Sequence, residues 1–134
     1  MTTRDLLRNS FVYTSLAPAA RVNGTATGAA VDLRNYDGAM VAVAFGSYTD
    51  GTHTPSLQHS ADGVSYAAVP VADLDGAFTA VNSGAGANTV QQVGYVGALR
   101  FLQVVMTVTG ATTGALSAAS VVLGYPRIAP TQQG

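Results

Sequence analysis

Between residues 37 and 76 the dipeptide Asp-Gly occurs four times: Asp37-Gly38, Asp50-Gly51, Asp62-Gly63 and Asp75-Gly76, spaced 13, 12 and 13 residues apart. Glycine has no Cβ to clash at positive φ and Asp tolerates that region, so the dipeptide suits tight turns. A turn every 12 or 13 residues leaves about six to eight residues between turns, the ordinary length of a strand. The segments between the turns do not resemble one another, so this is regular spacing and not a repeat. The chain contains no Glu and no Lys, which removes two good helix formers. Val, Thr, Tyr and Phe are plentiful and fifteen Gly punctuate them, a composition that favours strands.

Period-2 alternation is clearest in two places. Val41, Val43 and Phe45 share one face of a strand, with Met40, Ala42 and Ala44 on the other. Leu102, Val104, Met106 and Val108 likewise oppose the more polar set Gln103, Val105, Thr107 and Thr109. Strands are expected over 11–16, 29–33, 40–45, 56–59, 65–71, 78–81, 89–96, 101–109 and 116–123. The stretch 82–88 is expected as a flexible loop and 110–114 as a hairpin tip. Eight or nine such strands must close to bury both apolar faces. The expected fold is therefore all-β, an antiparallel β-sandwich or jelly-roll-like barrel. Residues 1–10 read as an N-terminal arm or short helix, 11–125 as the sandwich domain and 126–134 as a polar tail.

At 134 residues the length fits one domain. Charged residues are only 10% of the chain, against about 25% in an ordinary soluble domain. The six basic residues are all Arg and the seven acidic ones all Asp, for a net charge of −1. Scattered Arg without a basic stripe speaks against nucleic acid as a partner. No apolar run is long enough to span a membrane as a helix. The first sixteen residues lack the apolar core of a secretory signal. Zero Cys excludes disulfides, cysteine zinc ligands and cysteine nucleophiles.

No constellation demands catalysis or a cofactor. His53 and His59 are six apart, without the short pairing of metal ligands, and read as polar loop and strand residues. Asp73-Leu74-Asp75-Gly76 resembles half a calcium loop, but the closing Glu does not exist in the chain. Four of the seven Asp are already explained by turns, and no Gly-x-Ser-x-Gly elbow is present. Gly84-Ala85-Gly86 and Gly24-x-x-x-Gly28 lack the third Gly or the Lys of phosphate loops. Asn23-Gly24-Thr25 is a formal glycosylation sequon that reads as turn chemistry. Ser60-x-Asp62-Gly63-x-x-Tyr66 is similar to a structural hairpin of discoidin-type β-sandwiches, a tight turn followed by a packed aromatic. The expectation is a non-enzyme that needs no metal or cofactor. About thirteen charges over roughly 6,500 Å² of folded surface is sparse for a free monomer, so the surface reads as one that meets other protein.

Several segments carry a resemblance, in order along the chain. They are Leu16-Ala17-Pro18-Ala19, Val31-Asp32-Leu33-x-x-Tyr36-Asp37-x-Ala39-Met40-Val41 and His53-Thr54-Pro55-Ser56-Leu57-Gln58-x-Ser60-x-Asp62-Gly63. Then follow Ala72-Asp73-Leu74-x-Gly76-x-Phe78, Val93-Gly94-Tyr95-Val96-Gly97-x-x-Arg100-Phe101 and Val104 through Ala111. Over residues 11–127 this resembles a group of small tailed-phage and prophage proteins, often encoded beside the head genes. The resemblance implies a structural virion protein, made in the bacterial cytoplasm and located on the phage head. The role it favours is a capsid decoration, or cement, protein whose partner is the major capsid protein or another virion protein. It also implies a homo-oligomer, with a trimer favoured. By analogy Arg4, Leu6, Leu7 and Arg8 in the arm, and Tyr125 and Arg127 near the C-terminus, are candidate assembly contacts. The alternatives are a minor head–tail or tail component, or a carbohydrate-binding module. The last predicts exposed tyrosines clustered on one face, drawn from Tyr36, Tyr48, Tyr66 and Tyr95.

Overall fold

A computed structural model describes residues 7–126. Ten strands follow one another: β1 (Ser10–Arg21), β2 (Gly24–Thr27), β3 (Val31–Asp32), β4 (Tyr36–Tyr48), β5 (Thr52–Ser60), β6 (Ala67–Ala68), β7 (Leu74–Asp75), β8 (Val90–Tyr95), β9 (Phe101–Thr109) and β10 (Ala115–Pro126). Short 3-10 turns occupy Leu7–Asn9, Val71–Asp73 and Gly84–Gly86. Two antiparallel sheets of five strands form a β-sandwich. The first runs β1-β10-β4-β8-β7; the second runs β2-β9-β5-β6, with β3 also pairing with β9.

The alternating faces identified in β4 and β9 meet in the core. Val41, Val43 and Phe45 pack with Val121 and Leu123 of β10 and with Leu102, Val104, Met106 and Val108 of β9. Full burial of each such side chain stabilises the fold by about 1.5–3 kcal/mol. The opposite face of β9 is more buried than alternation suggests: Gln103 and Val105 are also enclosed. Gln103 satisfies its amide by donating to Gln58 Oε1 across the strand pair, at 2.7 Å.

Three Asp-Gly pairs turn the chain as expected, with Gly51, Gly63 and Gly76 at positive φ. Asp37-Gly38 does not: it lies inside β4, and the turn before that strand falls on Asn35, whose φ is 75°. Residues 110–114 join β9 to β10 across the sandwich instead of capping a hairpin, since those strands lie in different sheets. Asp50-Gly51 makes the same kind of crossing from β4 to β5. The two crossings are tied together: the Asp50 carboxylate accepts the N–H of Gly114 at 2.6 Å and also those of Thr112 and Thr113. Asn23 Oδ1 accepts the neighbouring Ala111 N–H at 2.6 Å. Of residues 78–81 only Val81 pairs, as a bridge to His53. The expected strand over 65–71 reduces to Ala67–Ala68, and the loop at 82–88 contains the turn Gly84–Gly86.

Midway along the sandwich β1 stitches the sheets. Ser15 Oγ donates to Ala29 O at 2.8 Å and accepts Val104 N–H at 3.1 Å. Gly28 sits against Ser15 so closely that any Cβ there would collide with its backbone. Glycine is required by this approach of two strands.

Candidate assembly surface

The side chains that β1, β10, β4 and β8 turn away from the core form rows across the first sheet. One row reads Val12, Val122, Met40, Gly94; the next reads Thr14, Ser120, Ala42, Gln92; a third reads Ala118, Ala44, Val90. Among the described residues the charged side chains that border this lattice at its groove end are Asp75, beside Gly94 on the far-edge strand β7, and Asp37 at the start of β4. Val12 is 49% and Val90 60% exposed. Single exposed apolar side chains are ordinary, but three adjacent rows without a charge make a contiguous patch of the kind used for contact.

One end of this face is hollowed into a groove of about 960 Å³. Its floor contains Gly38, Gly94 and Gly124, with Met40, Val122 and Tyr125 around it. Tyr125 has a φ of 53° and its ring lies over Gly38, where a Cβ would stand 2.7 Å from the ring edge. A second, more polar hollow of about 380 Å³ lies among Leu33, Asn35, Tyr36, Tyr95 and Arg100. Arg100 there makes a two-pronged pair with Asp32, at 2.9 and 2.7 Å. That pair, first among the causes, holds the Asp32 carboxyl down at about 2.

The candidate assembly contacts are placed in part. Leu7 (65% exposed) and Tyr125 (78% exposed) stand at the same end of the first sheet, where Ser10 pairs with Gly124. Arg4, Leu6 and Arg127 lie outside the described residues, as does the Arg8 side chain. Sequence reasoning did not single out Val12, Ala118 or Val122. The signal was present in the Ala and Val of the second strand face, but strand register was needed to assemble it.

Neither histidine is a polar surface residue. Both point inward from β5 and are buried. His53 lies edge-on to Phe45 and Tyr48, with Nε2 3.0 Å from Asp50 O and Nδ1 without a hydrogen-bond partner among the described residues. His59 Nδ1 is 2.8 Å from the Tyr95 hydroxyl, which also takes the Leu99 N–H. Burial raises the Tyr95 pKa. Among the described residues the imidazoles meet a backbone carbonyl and a phenol hydroxyl, not the carboxylate that acid–base chemistry would use. Among the described residues no three His or Asp side chains gather to hold a metal ion.

The Ser60-x-Asp62-Gly63 segment is a self-contained turn. Ser60 Oγ accepts the Asp62 and Gly63 N–H groups and donates to the Asp62 carboxylate. The Val64 N–H, followed by that of Ser65 and the Ser60 hydroxyl, holds the Asp62 carboxyl at about 2. Of the four tyrosines that a sugar platform needs, Tyr95 is buried and Tyr36, Tyr48 and Tyr66 are half-buried. No family model matches this chain, and no curated protein matches its sequence.

Proposed function

We propose that this chain is a structural virion protein of a tailed phage, a capsid decoration protein that binds the head shell and stabilises it. The observation that carries this reading is the apolar lattice across β1, β10, β4 and β8. It is wide, it is free of charge away from its edge, and it leads into the groove beside Tyr125. The resemblance of residues 11–127 to proteins encoded beside phage head genes supplies the partner, the major capsid protein. Leu7 and Tyr125 flank the lattice and serve as its terminal contacts, with Arg4, Leu6, Arg8 and Arg127 adjoining them in sequence.

The mechanism is binding linkage. A protein that binds only the assembled shell stabilises it by about 2.7 kcal/mol per site at a hundredfold excess over Kd, repeated at every site. No chemical step is involved. The test mixes the full chain with shells of the neighbouring capsid protein, pellets them, and follows shell rupture on heating. The reading expects saturable co-pelleting and a rise in rupture temperature. Binding to tails alone would move the protein to the head–tail or tail role, and binding to neither would end the virion reading.

A further inference from the structure

Five strands form the edges of the two sheets, and four of them are blunted. β2 has four residues, and β3, β6 and β7 have two each, with Asp32 on β3 and Asp75 on β7. Short edge strands and edge charges are the usual devices that stop one sheet from pairing with another. β1 is different. It is twelve residues long, and its second half is protected by Pro18, by register shifts around Leu16 and by Arg21. Its first half has none of these. Phe11, Val12, Tyr13 and Thr14 are uncharged, have high β-propensity and, among the described residues, pair in regular register with β10 on one side only.

The sequence of this edge also reads nearly the same in both directions. About Val12 it runs hydroxyl, aromatic, Val, aromatic, hydroxyl: Ser10, Phe11, Val12, Tyr13, Thr14. An antiparallel copy centred on Val12 sets Val12 against Val12 and each Phe11 against the other copy's Tyr13. Aromatic pairs directly opposite one another are favourable across antiparallel strands. Phe11 and Tyr13 already stack with ring centroids 4.6 Å apart, and Tyr13 is still 42% exposed. A copy at this edge covers that stack without opposing any charge. It also continues the row Val12, Val122, Met40 across the junction.

We propose that two copies of this chain pair through β1 about a two-fold axis at Val12, joining their first sheets into one continuous sheet. The contact is isologous, so it closes at two. The product is a dimer, not the trimer that the phage resemblance favours, and the inference does not depend on the virion reading. With few residues at the junction the contact belongs to the smaller, concentration-dependent class of interfaces.

The experiment uses the full chain in sedimentation across a wide concentration range, with two substitutions. Val12→Lys sets like charges face to face on the axis, which opposes pairing. Val12→Thr keeps a β-branched residue. The expected result is a monomer–dimer equilibrium in the wild type and in Val12→Thr, weakened more than tenfold in Val12→Lys at an unchanged melting temperature. Because the chain has no Cys, Val12→Cys adds a test independent of mass. A short thiol-to-thiol reagent should link it into covalent dimers, while Val90→Cys, on the far side of the lattice, should stay unlinked. A wild type that is monomeric at every concentration would overturn the proposal, as would a trimer indifferent to Val12→Lys. So would a chain that dimerises only once residues 1–6 are removed, because that places the chain's own segment on the edge.

Discussion

Along β4 the outward side chains are Met40, Ala42 and Ala44; along β5 they are Thr54, Ser56 and Gln58. The same difference runs across the neighbouring strands. The first sheet turns out Val12, Val122 and Ala118, whereas the second turns out rows such as Thr25, Thr107, Thr54 and Thr27, Val105, Ser56. Both faces are nearly free of charge, because Arg and Asp side chains sit in turns and at strand ends. Hydroxyl and amide groups let the second face keep its water. The first holds water chiefly along one row, Thr14, Ser120 and Gln92, so covering it costs less desolvation and removes more apolar surface. Low charge alone therefore does not mark a contact surface here; low charge together with fewer hydroxyls does.

The largest effect should come from the core that both faces share. Leu102→Ala empties a fully buried position and should cost about 2–5 kcal/mol in chemical denaturation, loosening the two faces together. Next come matched charges on the two faces. Ala44→Arg should weaken shell binding at least about a hundredfold, or about 2.7 kcal/mol. Thr54→Arg, at a position also exposed but on the other face, should leave the titration unchanged. Tyr95→Phe tests the buried polar link between the sheets. It leaves His59 Nδ1 and the Leu99 N–H without their partner and should cost about 1–3 kcal/mol, with shell affinity preserved once the protein is folded.

Acid should give the mildest effect and should act at the ends of the sandwich, not on its faces. Asp32 and Asp62 are held at about 2 in the fold, against an ordinary 3.8, and Asp50 shifts in the same direction on its Gly114 N–H bond. Their folded values lie below their unfolded ones, so their contribution is complete above about pH 4 and is lost as the pH falls toward 2. Melting temperature should therefore decline over that window and be insensitive to these groups above it. Asp62→Asn should flatten part of the decline.

Much of this architecture was legible from residue order. The alternation in 40–45 and 102–108 marked the two central core strands, and three Asp-Gly pairs marked real turns. The fourth failed because the inward series Val41, Val43, Phe45 extends back through Ala39, and strand pairing with β10 overrode the local turn preference of Asp37-Gly38. β2 and β7 were missed because two to four residues carry too little periodicity to register. The crossing at 110–114 reads as a hairpin tip, and that at 49–51 as a plain turn, because a turn's composition does not reveal which sheet receives the next strand. The Asp50 bridge that distinguishes them spans more than sixty residues. The assembly face was half visible: Met40, Ala42 and Ala44 stood out as a face without charge, but only register places Val12, Val122 and Val90 beside them.

The absence of Cys allows the central claim to be tested one side chain at a time. Ala44→Cys and Thr54→Cys would each be labelled with a maleimide, free and after saturation with capsid shells. An apolar first face used for attachment predicts that shells slow labelling at position 44 more than tenfold and leave position 54 unchanged. Equal labelling at position 44 with and without shells, or protection at position 54 instead, would contradict it.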